Sequence, residues 1–148
     1  MKLIDAIIKF KPLHPEFELP ARGSSDAAGF DMRALEEVLL PAGERILVSL
    51  GCAVEIPVGF EIQVRPRSGL ALKHGITVLN APGTIDADYR GACGAILVNT
   101  SQDDYVITKY ERVCQFVVAR VPTVHIQMSE ELSDTTRGEG GFGSTGKV

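Results

Sequence analysis

With 148 residues, 45% of them hydrophobic and 23% charged, the chain has the length and balance of one soluble domain with a sizeable core. Its net charge of −4 excludes a general nucleic-acid or membrane-surface binder, so any anionic substrate must be met by local positive charge or a metal ion. Three separated cysteines (Cys52, Cys93, Cys114) without CxxC spacing, and three scattered histidines (His14, His74, His125), exclude a disulfide frame and a zinc site and point to reduced thiols.

The opening M-K-L-I-D-A-I-I-K-F starts like a signal peptide, but Asp5 and Lys9 interrupt the apolar run and no small-residue cleavage site follows. No stretch approaches a membrane span, so a protein of the cytoplasm, or of an organelle whose targeting segment is absent here, is expected. Residues 3–10 read as a first strand. Pro12, Pro15 and Pro20 then rule out a helix, and residues 22–26 form a polar loop. At 27–34, Phe30 and Met32 alternate with Asp31 and Arg33, as in a half-buried strand. Pro41, Gly43 and Glu44 make a turn, and strands follow at 46–50, 52–56 and 60–64, punctuated by Pro57 and Gly59. Residues 68–74 are the one convincing helical segment, with Ser68 as N-cap and Gly75 as C-terminal stop.

Further strands are expected at 76–79, 84–89, 94–99, 104–108, 113–121 and 123–128. Short strands at regular spacing with almost no helix indicate an all-β, jelly-roll-like sandwich or barrel. From Leu79 to Gly91 the chain reads L-N-A-P-G-T-I-D-A-D-Y-R-G, the grammar of a β-hairpin with a broad tip. Such a tip leaves backbone N–H and C=O groups free to bond a flat ligand edge-on. On a regular strand Asp86 and Asp88 share one face and Tyr89 takes the other. Taken alone, the stretch reads as a solvated hairpin with a polar face.

Composition shifts near Ser129. Five of the ten residues 137–146 are glycine, which divides the chain into a core at 1–136 and a flexible tail at 137–148. A disordered terminus is the usual fate of such a segment. Arg137 and Phe142 embedded in it suggest a flap that orders over a ligand. G-F-G-S-T-G-K at 141–147 matches a Walker loop in letters only. Val148 stands where Ser or Thr is needed, and no helix follows. Arg67 and Ser68 at the helix start suit an anion, and read equally as surface groups beside a plain cap. Gln115 and Asp31 are ordinary strand alternation by default.

The joint order of these signals is specific. A-G-F-D-M-R-A at 28–34, P-R-S-G-L-A at 66–71, G-T-I-D-A-D-Y-R-G at 83–91, E-R-V-C-Q-F at 111–116 and R-G-E-G-G-F-G-S-T-G at 137–146 together resemble the five ordered motifs of the trimeric dUTPases. The resemblance spans essentially the whole chain. Met32, Cys114 and Ala92 depart from it without touching a position assigned to chemistry.

The resemblance implies a jelly-roll homotrimer with active sites shared between subunits. It implies Mg²⁺-dependent hydrolysis of dUTP to dUMP and pyrophosphate, which removes dUTP and supplies dUMP for thymidylate synthesis. By the same resemblance Asp86 activates the attacking water and Tyr89 packs on the deoxyribose. Asn80, with the backbone around Gly83 and Ile85, reads uracil. Arg67, Ser68, Gly69 and Gln115 hold phosphates, and Asp31 helps place Mg²⁺ through water. Arg137, Phe142, Gly143, Ser144 and Thr145 form the closing tail, with Phe142 stacked on the base. The related dCTP deaminases carry a catalytic Glu in the strand after the hairpin. Here that strand is A-I-L-V-N, with no carboxylate.

Overall fold

The structure, a computed structural model, describes residues 5–147. Among them are eleven strands and one short helix: β1 (Lys9–Pro12), β2 (Gly29–Arg33), β3 (Val38–Leu40), β4 (Arg45–Ser49), β5 (Cys52–Glu55), β6 (Phe60–Arg65), α1 (Ser68–His74), β7 (Ile76–Val78), β8 (Gly83–Ile85), β9 (Gly94–Asn99), β10 (Tyr105–Ile107) and β11 (Arg112–Arg120). Every ladder between these strands is antiparallel. A four-stranded sheet runs β2-β11-β6-β8, and a three-stranded sheet runs β4-β9-β7. β1-β5 and β10-β3 are two-stranded ribbons. The sheets stay separate, so of the two architectures left open by the sequence this is the jelly-roll-like sandwich and not a closed barrel.

Period-two burial builds the core. Along β9, Ala95, Leu97 and Asn99 are buried while Gly94, Ile96 and Val98 are only partly so. Leu97, Val48, Ile76 and Val78 from the smaller sheet join Ile62, Val64, Met32 and Phe116 from the larger one in a single apolar cluster. β11 breaks the alternation. The register shifts between Arg112 and Cys114, so Val113 and Cys114 both turn inward. Asn99 is the buried polar exception and is fully bonded. Its Nδ2 donates to the Leu40 and Asp103 carbonyls at 3.1 and 2.8 Å, and its Oδ1 accepts from Ser101 N–H and Oγ at 3.0 and 2.8 Å.

α1 has the predicted bounds, and Gly75 stops it at φ 65°, donating to the Ala71 and Leu70 carbonyls. The N-cap, however, is Arg67 and not Ser68, and no side chain caps the helix start. The first strand is Lys9–Pro12, not 3–10. Residues 5–8 have no ladder partner, and positions 3 and 4 lie outside the described residues. β3 went unpredicted because three residues carry too little pattern. The expected strand at 123–128 is absent: after Val121 N–H bonds the Gly59 carbonyl at 2.9 Å, nothing among the described residues pairs with that backbone.

The expected hairpin is also corrected. β7 pairs with β9, and β8 pairs with β6, so Leu79–Gly91 does not fold back on itself. The segment instead crosses from one sheet to the other. Each arm finds more apolar area against its own sheet than a two-stranded ribbon would offer.

Candidate active site

The crossing creates the site. Leu79 N–H donates to the Ile96 carbonyl at 2.8 Å and Ala81 N–H to the Val78 carbonyl at 3.2 Å, ahead of a cis Ala81–Pro82 peptide. β8 then runs as the edge of the four-stranded sheet, and its outer side has no ladder partner among the described residues. Gly83 permits the close approach to β6, since a Cβ there would stand 3.0 Å from Val64 Cβ. Between this edge and the smaller sheet opens a pocket of about 250 Å³. Asn80, Gly83, Ile85, Asp86 and Tyr89 line it, together with Leu47 and Ile96 from β4 and β9.

Beyond Ile85 the chain turns, with Tyr89 N–H donating to the Asp86 carbonyl at 3.1 Å. The strand predicted to reach residue 89 therefore ends at 85, and two-residue alternation no longer applies. Asp86 and Tyr89 share the pocket, whereas Asp88 does not line it. The Tyr89 hydroxyl donates to the Ala92 carbonyl at 3.0 Å, and Arg90 Nη1 donates to the Ala87 and Tyr89 carbonyls at 2.7 and 3.0 Å, which stiffens the bend.

A second group forms where β2, β11 and the start of α1 meet. Asp31 pairs with Gln115 in register. Its Oδ2 accepts from Arg112 Nη1 at 3.1 Å and its Oδ1 faces Arg67 Nε at 3.6 Å. Arg67 Nη1 also donates to the Arg112 carbonyl at 2.8 Å, and Gln115 Nε2 donates to the Pro66 carbonyl at 3.0 Å. Ser68 and Gly69 stand exposed at the first turn of α1. The neighbouring Cys114 thiol is pushed up to about 12 by burial, with the Asp31 charge adding to it, so it stays protonated and is no nucleophile.

No group of three His, Cys, Asp or Glu side chains among the described residues makes a metal cage. Asp31 already faces two guanidiniums, yet its carboxylate has lone pairs left for ordered water. That donor set fits a hard cation held mainly by its ligand, and reached by the protein through water.

The tail is the third group. Arg137 Nε bonds the Gly140 carbonyl at 2.7 Å, and turns link Ser144 to Gly141 and Gly146 to Gly143. Phe142 is fully exposed at φ 50°. Beyond Val121 every hydrogen bond among the described residues stays within this segment.

A single chain therefore gathers Asn80, Gly83, Ile85, Asp86 and Tyr89, and separately Asp31, Arg67 and Gln115. None of the second group lines the 250 Å³ pocket, and no tail residue does. Sequence reasoning missed Arg112, although it lies in the quoted E-R-V-C-Q-F stretch. Its reach to Asp31 depends on the β2–β11 register. Leu47 and Ile96 were missed because only the packing of two sheets brings them opposite β8.

The chain matches a family profile described as dUTPase over residues 15–146. It is 54% identical to the deoxyuridine 5'-triphosphate nucleotidohydrolase of Nautilia profundicola over 140 residues, covering 95% of this chain and 99% of that protein. It is 49% identical to the corresponding protein of Wolinella succinogenes, covering 95% and 94%. Among solved structures, the Staphylococcus bacteriophage 80alpha dUTPase with dUPNHPP superposes with a TM-score of 0.88 at 28% identity, covering 95% of this chain and 99% of that one.

Proposed function

The chain belongs to the dUTPase family and is a dUTP diphosphatase, and we propose that it works through a water activated by Asp86, in active sites shared between three copies. Asp86 accepts a proton from the water as the new oxygen–phosphorus bond forms at the α-phosphorus. The bond from that phosphorus to the α,β-bridging oxygen breaks, and dUMP and pyrophosphate leave. A carboxylate that needs only to accept a proton suits this step. The observation that carries the reading is the gathering of Asn80, Gly83, Ile85, Asp86 and Tyr89 in one pocket beside a free sheet edge.

That edge offers uracil a row of backbone donors and acceptors, with the Asn80 amide beside it, and the pocket rejects a 5-methyl group. Tyr89 stands against the deoxyribose and excludes a 2′-hydroxyl. Arg67, Ser68, Gly69 and Gln115 hold the phosphates. Arg67 commits one N–H to the Arg112 carbonyl and keeps others for phosphate oxygens. Mg²⁺ bound with the triphosphate would supply charge neutralisation, and Asp31 is the residue that would hold it, through water. Arg137, Phe142, Gly143, Ser144 and Thr145 close over the nucleotide, so residues 137–148 act as a lid on a core of 1–136. The product dUMP then serves thymidylate synthesis.

Two observations support the trimer. The phosphate-side residues Arg67, Ser68, Gly69 and Gln115 do not line the 250 Å³ pocket that holds the base-side residues. Residues 123–128 expose Val124, Ile126 and Met128 by 70, 89 and 98% on backbone that nothing among the described residues pairs. That is the alternation of a strand awaiting a neighbour. Three free, buried cysteines support the cytoplasm as the compartment, and no helix among the described residues is long and apolar enough to cross a membrane.

Pyrophosphate release from dUTP, dCTP, dTTP and UTP, measured side by side, tests the substrate reading. dUTP is expected to dominate, and comparable turnover of dTTP or dCTP would overturn the assignment of the pocket. Sedimentation at micromolar concentration in reductant should give a trimer. A monomer there that retains full activity would end the shared-site reading.

A further inference from the structure

Gly91 lies two residues beyond Tyr89, outside the pocket lining, and its backbone has no need of glycine. It is absent from the glycines with φ in the left-handed region, which include Gly75 and Gly143, so any L-residue fits its backbone. What it lacks is space. A Cβ built on Gly91 runs into the Tyr89 hydroxyl, and comes within 2.6 Å of Cζ and 3.0 Å of Cε2. The ring therefore lies directly across the bare Cα, at a distance that no side chain would allow. Its hydroxyl is tied 3.0 Å away to the Ala92 carbonyl. Together the gap and the tether select one ring position out of the staggered wells open to a half-exposed tyrosine.

We propose that Gly91 is a positioning residue for sugar selection: its missing side chain is the seat that holds the Tyr89 ring against the pocket, with the Ala92 carbonyl as the latch. This rests on the reading of Tyr89 as the residue that meets the deoxyribose. Exclusion of one extra hydroxyl by contact requires a ring that cannot swing away. A mobile ring would yield to the 2′-hydroxyl, and an apolar wall alone rejects an added hydroxyl only weakly, on the order of 10²-fold. The clash partner is the movable end of a side chain and not backbone, so a methyl at position 91 displaces the ring and leaves the surrounding chain intact.

The test uses full-length wild type, Gly91→Ala, Tyr89→Phe, Tyr89→Ala and the double variant Gly91→Ala/Tyr89→Ala. kcat/KM for dUTP and for UTP and the thermal midpoint are measured for each. Gly91→Ala should lower the dUTP:UTP ratio by about tenfold, comparable to the loss of one shape contact in a pocket, with an unchanged midpoint. Tyr89→Phe adds no atom and so tests the latch without risk of misfolding. It should lower the ratio in the same direction by a smaller factor. In the Tyr89→Ala background, Gly91→Ala should change nothing, because the ring it acts through is gone. A ratio unchanged in both Gly91→Ala and Tyr89→Phe, while Tyr89→Ala lowers it, overturns this inference alone. So does an equal Gly91→Ala effect in both backgrounds. A ratio unchanged in Tyr89→Ala overturns the sugar reading on which it rests.

Discussion

The pocket beside β8 and the segment beyond Arg120 are built from the same kinds of residue, yet only one of them is preformed. In the pocket, Gly83 lies against Val64, Tyr89 is latched to the Ala92 carbonyl, and Asp86 begins a hydrogen-bonded turn. In the tail, Cβ atoms at Gly138, Gly141 and Gly143 would meet nothing within 4 Å, and Phe142 touches solvent on all sides. Folding has already met the entropic cost of the pocket, through sheet registers on both of its walls. The tail still carries that cost, about 1–2 kcal/mol for each backbone residue it orders, and only a ligand or a neighbouring subunit can offset it. On the proposed roles, base and sugar would meet a rigid frame and product would still be released, because closure would depend on contacts that product lacks.

Four measurements break or sharpen this contrast. The largest effect belongs to the rigid side. Asp86→Asn should cut turnover by about 10²–10⁴-fold, the usual contribution of a general base, while nucleotide binding by calorimetry persists. Near-normal turnover would remove Asp86 from the chemistry. Next comes deletion of residues 137–148. The lost stacking, about 1–3 kcal/mol, and the lost charge-assisted bonds, about 1.5–3 kcal/mol, predict a fall of about 10²–10⁴-fold in kcat/KM. Stability should move by no more than about 0.5 kcal/mol, as for unpacked surface. Full activity after truncation, or equal hydrogen exchange of tail amides with and without a non-hydrolysable dUTP analogue, would erase the contrast.

Phe142→Ala isolates the ring and should cost about 5–150-fold in kcat/KM, the range equivalent to 1–3 kcal/mol of stacking. No change would leave the tail closing through Arg137 and its phosphate contacts alone. The smallest effect concerns the body of the protein. The Glu16 carboxylate accepts from Tyr110 Oη at 2.7 Å and pairs with Lys109 Nζ at 2.5 Å, and Lys109 first, then Tyr110, hold it below its ordinary value of 4.5. A depressed folded-state value means the contribution is present above pH 4.5 and is lost as pH falls below it. Urea melts between pH 5 and 3 should show wild type losing this small advantage over Glu16→Gln. The pair is exposed, so the difference is slight. The tail-deleted protein should show the same acid profile, and a profile altered by the deletion would tie the tail to the body after all.

α1 was legible to the residue, because Gly75 and the flanking prolines and glycines act within a few positions of it. β9 was equally legible, because its alternation is strong and both of its faces are committed. Asn80, Gly83, Ile85, Asp86 and Tyr89, which meet in the pocket, were legible as a group through their ordered motifs. Their arrangement was not. Tyr89 was expected opposite Asp86 and stands beside it, because the strand stops at Ile85 and a turn replaces the alternation. Arg112 gave no local signal for its bond to Asp31, which lies 81 positions away in the chain.

The sequence by itself therefore determined most of the segments that extend and the bounds of the helix at Ser68–His74. These depend on spacing, turn residues and capping, all of them interactions between near neighbours. Tertiary structure alone decided that β7 and β8 join different sheets, that a pocket opens at their crossing, and that residues 123–128 find no partner among the described residues. Each of these is a choice among strand edges far apart in sequence. Such edges compete through buried area and hydrogen-bond closure, quantities that exist only once the sheets have assembled.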